Sequence, residues 1–541
     1  MSRSSTSRVL AVLACLLSAT PSAAQNVRRL TSTIPPASGG GTTVRVIPGQ
    51  SISAAITAAG VGGVVLLKAG THRIADIGSL TPLNNQVILG ERDATGTRVS
   101  RLNGSRILTN WIADSGRWYV TGQTQAGTVS TDPNDCDMGT PENPVTAGRY
   151  DRCIYPEQLY FGCNAVATCT MKHHETSLMA TGAGEWFFDY AADRIYVGDD
   201  PTSAFVETAV LDHPFTGTAT GVTIRGLVIE MFATRNNEGT VETEGADWLI
   251  DDNEIRWNHG AGVYVGTTSG MARARGNYIH HNCNYAIIGA GANILVDQNE
   301  LAYNNILPQS TDWEDTCGFW SFWGAGATKF VHTLGLIFHK NYSHHNNGPG
   351  FWADIENRLG IVEYNRFEYN RRSGIFWEIS CAAVIRYNGA INNGLGGDFP
   401  GIMTGTGIEV NTSRDVEVHG NVAVGNIGGG ISGYDDGVRN GGSEAGGPCI
   451  LAGFTWQLVN LNVHDNIIES CINSAGLGLT GVIDTNTGDS SNAFTTATFE
   501  GNSYILGTAT NYFMWSAGEI AQAAWTAVGH DTPGGTFGSC P

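Results

Sequence analysis

From about residue 216 the chain is a succession of short apolar segments, each closed by an asparagine. Asn253, Asn277, Asn299, Asn341, Asn365, Asn388, Asn421, Asn466 and Asn502 occupy like surroundings. A second asparagine often follows five residues later, at Asn258, Asn282, Asn304, Asn346, Asn370, Asn393 and Asn426. A glycine-rich turn and a strand opening on Gly-Ile or Gly-Phe usually come next. Successive first asparagines lie 24, 22, 42, 24, 23, 33, 45 and 36 residues apart. The short steps define a coil of 22 to 24 residues. The long ones are a coil plus an insertion, or two coils with one unmarked. A repeat of this length built from short strands predicts an all-β parallel β-helix, its coils stacked at roughly 4.8 Å. Aligned asparagines then form a ladder that satisfies turn backbone buried between coils. The Leu/Asn consensus of leucine-rich repeats is missing.

Side chains alternate in and out along a strand. In the strand after each second asparagine, Val263, Phe351, Ile375, Ile408 and Ile431 share an apolar register and are expected inside. Tyr264, Trp352, Phe376, Glu409 and Ser432 are then outside, as are Gly266, Asp354, Glu378, Asn411 and Tyr434 two residues on. In the coil broken by 306–317, Phe319 points in, so Trp320 and Phe322 point out. The pattern predicts one external stripe of exposed rings, carboxylates and an amide. Such a stripe suits a sugar groove, where rings stack on C–H faces and polar groups take hydroxyls. Trp320, Phe322, Trp352, Phe376, Glu409, Asn411 and Tyr434 are its expected substrate contacts. Lys329, after the turn "GAGATK", stands near its start, either as a surface lysine or as a base.

The flanks differ. Arg3 and Arg8 precede an apolar run, Val9 to Leu17, and then small residues to Ala24. Residues 1–24 therefore read as a signal peptide cleaved near Ala24, and the mature protein is expected to be secreted or periplasmic. Residues 25–43 read as a linker. Residues 44–104 read as first coils with a capping helix from Ser51. Residues 105–215, with four cysteines and several aromatics, break the rhythm and predict an inserted β-rich subdomain. The β-helix core spans 216–480, and 481–541 make a last coil and cap.

Net charge is −20 over 541 residues, which argues against nucleic acid as a partner. No further run is long and apolar enough to span a membrane. Of 11 cysteines, Cys15 leaves with the signal peptide. Disulfides are expected among the other ten, with Cys136/Cys153, Cys163/Cys169 and Cys449/Cys471 as sequence-near pairs. No CxxC-type spacing occurs, and no metal site is assigned.

The most informative stretch repeats itself. Gly350-Phe-Trp-Ala-Asp-Ile is echoed 24 residues later by Gly374-Ile-Phe-Trp-Glu-Ile. Asp354 and Glu378 thus fall on neighbouring coils, with backbones roughly 4.8 Å apart. Like charges at that distance repel, which suits a nucleophile and a protonated acid. Retaining glycosidases hold their carboxyls about 5–5.5 Å apart and inverting ones about 6.5–9.5 Å, so adjacent coils favour retention.

These paired segments resemble a bacterial family of β-helix retaining glycosidases that includes β-xylosidases, and the opening segment resembles the pectin-lyase-like superfamily. The resemblance implies a right-handed parallel β-helix solenoid, with Asp354 as nucleophile and Glu378 as acid/base; the substrate does not carry over with it, and a poly- or oligosaccharide substrate without a cofactor is the separate expectation from the stripe. Other readings stay open. Asp354 and Glu378 could bind Ca²⁺ with Asn411 or Glu409, as in a polysaccharide lyase or epimerase acting on uronates. They could be salt-bridged to Arg371 or Arg372. The chain could also be a non-catalytic carbohydrate-binding adhesin. The pairs His280-His281 and His344-His345 recur with the repeat, and periodicity accounts for them. The loop 306–320 is expected to border the groove.

Overall fold

The computed structural model describes residues 39–127, 153–163, 169–267, 269–310, 315–321, 324–395, 405–435, 447–449, 456–471, 478–485, 493–516 and 518–540. The signal-peptide reading and Phe322 lie outside them. The chain divides into two compact units: Ile34–Leu334 with Ser343–Trp352, and Gly335–Tyr342 with Ala353–Pro541.

Asparagine builds the coil. Asn388 Oδ1 accepts from the Asn365 backbone N–H at 3.0 Å and from Asn365 Nδ2 at 3.0 Å. Its own Nδ2 donates to Asn421 Oδ1 at 3.0 Å and to the Val362 carbonyl at 2.9 Å. One side chain therefore satisfies buried turn backbone on two coils. In the N-terminal unit the ladders run Asn253–Asn277–Asn299 and Asn258–Asn282–Asn304–Asn346. In the C-terminal unit they run Asn341–Asn365–Asn388–Asn421–Asn466–Asn502 and Asn370–Asn393–Asn426. The 42-residue step from Asn304 to Asn346 is a single step of the ladder, so its extra length is an insertion. Asp531, which the asparagine pattern does not reveal, ends the first ladder by accepting from Asn502 at 2.9 Å.

Within each unit the strands stack in three parallel columns. In the N-terminal unit the first runs from Thr43–Val46 to Ile294–Asp297, the second from Gly239–Glu242 to Gly326–Leu334, and the third from Gly70–Arg73 to Glu300–Ala302. In the C-terminal unit they run from Ile337–His339 to Thr498–Glu500, Ile375–Glu378 to Phe513–Trp515, and Arg366–Glu368 to Thr536–Ser539. Facing apolar residues such as Ile250, Ile255, Val263 and Ile279 fill the coil interior. The expected inward residues Val263, Phe351, Ile375, Ile408 and Ile431 are all fully buried. Packing is close: a Cβ on Gly360 would meet the Trp377 indole at 2.5 Å.

An amphipathic helix, Ile52–Ala59, starts at Ser51, whose hydroxyl accepts from the Ala54 N–H. Between 105 and 209 the parallel rhythm gives way to antiparallel pairs, among them Glu185–Asp189 with Arg194–Val197 and Ser105–Leu108 with Val206–Ala209.

The disulfides correct one expected pairing. Cys163–Cys169 is present, but Cys449 bonds Cys381 and Cys471 bonds Cys540. Folding brings together cysteines 68 and 69 residues apart in sequence, which distance along the chain does not reveal. Cys283–Cys317 tethers the 306–320 loop. Cys153 is disulfide-bonded, and Cys136 lies outside the described residues. No helix among the described residues is long and apolar enough to cross a membrane.

The histidine pairs belong to the ladder. His280 Nε2 meets Glu254 at 3.4 Å and His344 Nε2 meets Glu300 at 3.2 Å, while His281, Tyr303 and His345 stack ring on ring.

Candidate active site

Glu378 is the last residue of the strand Ile375–Glu378, and Asp354 comes just after the strand Phe351–Ala353. Register places Glu378 beside Asn411 and Asn411 beside Tyr434 on successive coils. Phe376 lies beside Glu409 in the same way. The turn after Asp354 is bonded to the turn after Glu378 through Glu356 N–H to the Ile379 carbonyl at 2.8 Å. The Ile379 N–H donates to the Asn411 carbonyl at 3.0 Å.

The backbone after each of these residues is strained. Ile355, Ile379 and Thr412 have φ of 51°, 37° and 45°. A β-branched side chain rarely tolerates the left-handed region, at a cost of roughly 1–3 kcal/mol each. Three such residues on successive coils, each directly after Asp354, Glu378 or Asn411, mark this edge as over-determined by its surroundings.

A short polar chain holds the edge. Ser380 Oγ accepts from Asn357 N–H at 3.0 Å and Asn357 Nδ2 at 3.1 Å. Ser413 Oγ accepts from Ser380 N–H at 3.0 Å and donates to the Asn411 carbonyl at 2.8 Å. Asn357 Nδ2 also donates to the Asp354 carbonyl at 2.6 Å. On one side stands a clasp: buried Glu356 accepts from Cys449 N–H at 3.0 Å and Trp456 Nε1 at 2.9 Å. Cys449 is itself bonded to Cys381. Sequence reasoning missed Asn357, Ser380, Ser413 and Glu356. The recurring polar residue two or three places after each site position, in "DIEN", "EIS" and "NTS", is the signal that could have found the first three.

The expectation of an exposed stripe fails. Trp352 is fully buried, Phe376 is 3% exposed, and Asp354, Glu378, Glu409 and Asn411 are buried too. Cations cover the rings: Arg372 lies 5.6 Å from the Phe376 ring centre and Lys329 lies 4.1 Å from that of Trp352. Lys329 is thus a half-buried partner of a tryptophan rather than a free surface lysine. Trp320 and Tyr434 are half-buried. Glu409 accepts from Ser373 Oγ at 2.6 Å, and burial raises its pKa against the opposing pull of Arg372, Ser373 and Asn411. Asp354, Phe376, Glu378, Glu409, Asn411 and Tyr434 share the C-terminal unit, while Trp320, Lys329 and Trp352 belong to the N-terminal unit. The 306–320 loop packs on the antiparallel insertion, through Gln309 with the Met171 backbone and His173 with Asp315 at 2.8 Å.

Residues 239–441 match the family model described as a right handed beta helix region. The fold is a right-handed β-helix. Among solved β-helices, the chain is similar to XylC in complex with xylose, with 13% identity and a TM-score of 0.55 over 84% of this chain and 80% of that one. It is also similar to the A-module of the Azotobacter vinelandii mannuronan C-5 epimerase AlgE4, with 11% identity and a TM-score of 0.46 over 90% and 93%. A third similar structure is the catalytic domain of a GH87 α-1,3-glucanase in complex with nigerose, with 10% identity and a TM-score of 0.39 over 94% and 70%. At these identities the likeness is one of β-helix fold. No curated protein matches the chain in sequence.

Proposed function

We propose that this β-helix is an exported glycoside hydrolase that cleaves poly- or oligosaccharides with retention, using Asp354 as nucleophile and Glu378 as acid/base. The observation that carries the reading is the pair itself. Two buried carboxylates stand on hydrogen-bonded neighbouring turns, each followed by a left-handed isoleucine and braced by the Asn357–Ser380–Ser413 chain. Structure that serves stability alone has no need of strain at two acids. Asp354 would attack the anomeric carbon while Glu378 protonates the leaving oxygen. Glu378 would then take a proton from the water that releases the sugar. Glu409 and Asn411, one coil on, would receive hydroxyls. The cysteine pairs Cys163–Cys169, Cys283–Cys317, Cys381–Cys449 and Cys471–Cys540 support export into an oxidising compartment.

The test is a product screen of the purified protein on polysaccharides and aryl glycosides, reading reducing ends and unsaturated-uronate absorbance, with and without chelator. Reducing ends that survive chelator and vanish in Asp354→Asn and Glu378→Gln support the reading. Absorbance lost with chelator would replace it with a Ca²⁺-dependent lyase. Binding without any product would replace it with an adhesin.

A further inference from the structure

We propose that a second pocket, lined by Asp212, His213, Ala233, Arg235 and Glu238, binds a single neutral sugar ring. The pocket lies wholly within the N-terminal unit, is open to solvent on one side and offers about 210 Å³. That is less than the ~300–1,000 Å³ of pockets that swallow drug-sized ligands, so it suits one ring and not a chain.

Two segments form it. Asp212 and His213 follow the strand Val206–Ala209, and Arg235 and Glu238 precede the strand Gly239–Glu242. They are bound together: Thr234 Oγ1 donates to the Asp212 carbonyl at 2.6 Å, and His213 Nδ1 lies 3.0 Å from the Gly239 carbonyl. Gly239–Glu242 opens the second column, and Glu242 begins the outward register that continues through Tyr264, Ile288 and Lys329. The pocket therefore sits at the start of the outward face of the N-terminal unit.

Its charges select the ligand. Arg235 is paired with Glu238, and His213 Nε2 stands 3.6 Å from the same carboxylate. Burial lowers the His213 pKa, but Glu238, Glu242 and Asp212 together overcome it and raise it to about 9. His213 is therefore an imidazolium at neutral pH, and both cations already have a counter-charge. An anion would have to displace Glu238 and face Asp212. A cation would face Arg235 and His213. A neutral hydroxyl donates and accepts, so it suits a wall where charged donors and acceptors alternate. That the hydroxyls belong to a sugar rests on the function proposed above.

The experiment is saturation-transfer NMR and calorimetry on the full, disulfide-intact protein with D-xylose, D-glucose and D-glucuronate as probes. The expected result is binding of a neutral sugar, weakened about tenfold in Arg235→Met and Glu238→Gln. Because an ion-pair variant could unfold, Asp212→Asn, on an exposed side chain, is measured beside them with melting temperature as the check. Neutral-sugar binding that ignores all three substitutions would overturn the site, as would no binding of xylose or glucose. Tighter binding of glucuronate would overturn its neutral selectivity. Turnover is scored separately, so a failed hydrolase reading and a failed pocket give different results.

Discussion

Ser380 stands two residues beyond Glu378 and touches neither substrate nor carboxylate, yet the geometry makes it costly to remove. Its hydroxyl is the acceptor for both the backbone N–H and the side-chain amide of Asn357, at 3.0 and 3.1 Å. Ser380→Ala leaves the Asn357 N–H buried without that acceptor, since Asn357 has no exposed surface. An orphaned buried donor costs about 1–3 kcal/mol. Asn357 Nδ2 keeps its bond to the Asp354 carbonyl, so the expected loss is about 2 kcal/mol. Ser413→Ala removes the acceptor of the Ser380 N–H and should cost a similar amount. The two hydroxyls act in one chain, so the double variant should deviate from additivity by at least ~0.5 kcal/mol. Urea unfolding followed by tryptophan fluorescence reads all three, with the slope compared so that midpoints report stability. Additive losses, or single losses below ~0.5 kcal/mol, would refute the claim that this chain braces the site. If it does brace the site, Ser380→Ala should also lower kcat more than it raises KM, because the Asp354 turn shifts while the substrate contacts stay.

Further outcomes are expected elsewhere in the β-helix. Asn388→Ala breaks four buried hydrogen bonds across two coils and should cost about 3–5 kcal/mol; a loss below ~1 kcal/mol would deny the ladder its role. Replacing Cys471 and Cys540 by serine opens a loop with a sequence separation of 69 residues, worth about 4 kcal/mol by chain entropy, so an unchanged melting temperature would contradict the estimate. Burial holds the His259 pKa near 4, below the ~6.5 of an unfolded histidine, so the unfolded chain binds the extra proton first as pH falls. Stability from this group is therefore full above pH ~6.5 and is lost toward pH 4, by about 3 kcal/mol, and His259→Gln should flatten that slope; an unaltered slope would place the acid sensitivity elsewhere. Lys329→Met should cost about 0.5–2 kcal/mol by uncovering the Trp352 ring, and a stability gain would show the ammonium to be a burden there.

What the sequence by itself determined is everything periodic. Coil length, the asparagine ladders and the inward register follow from residues recurring at fixed spacing, because stacked coils impose the same environment on each repeat. The pairing of Asp354 with Glu378 on neighbouring turns was legible for the same reason. Only tertiary structure decided what lies over the coil. Alternation says that Trp352 and Phe376 leave the interior, but it cannot say that the Lys329 and Arg372 side chains lie over their rings, since where a long side chain goes once it leaves the strand is set by tertiary packing. It could not match Cys449 with Cys381 either, or find Glu356 clasping Cys449 and Trp456, because distance between coils is unrelated to distance along the chain. Strain at Ile355 and Ile379 was equally invisible: isoleucine at those places reads as ordinary strand, and only the folded backbone forces it into the left-handed region.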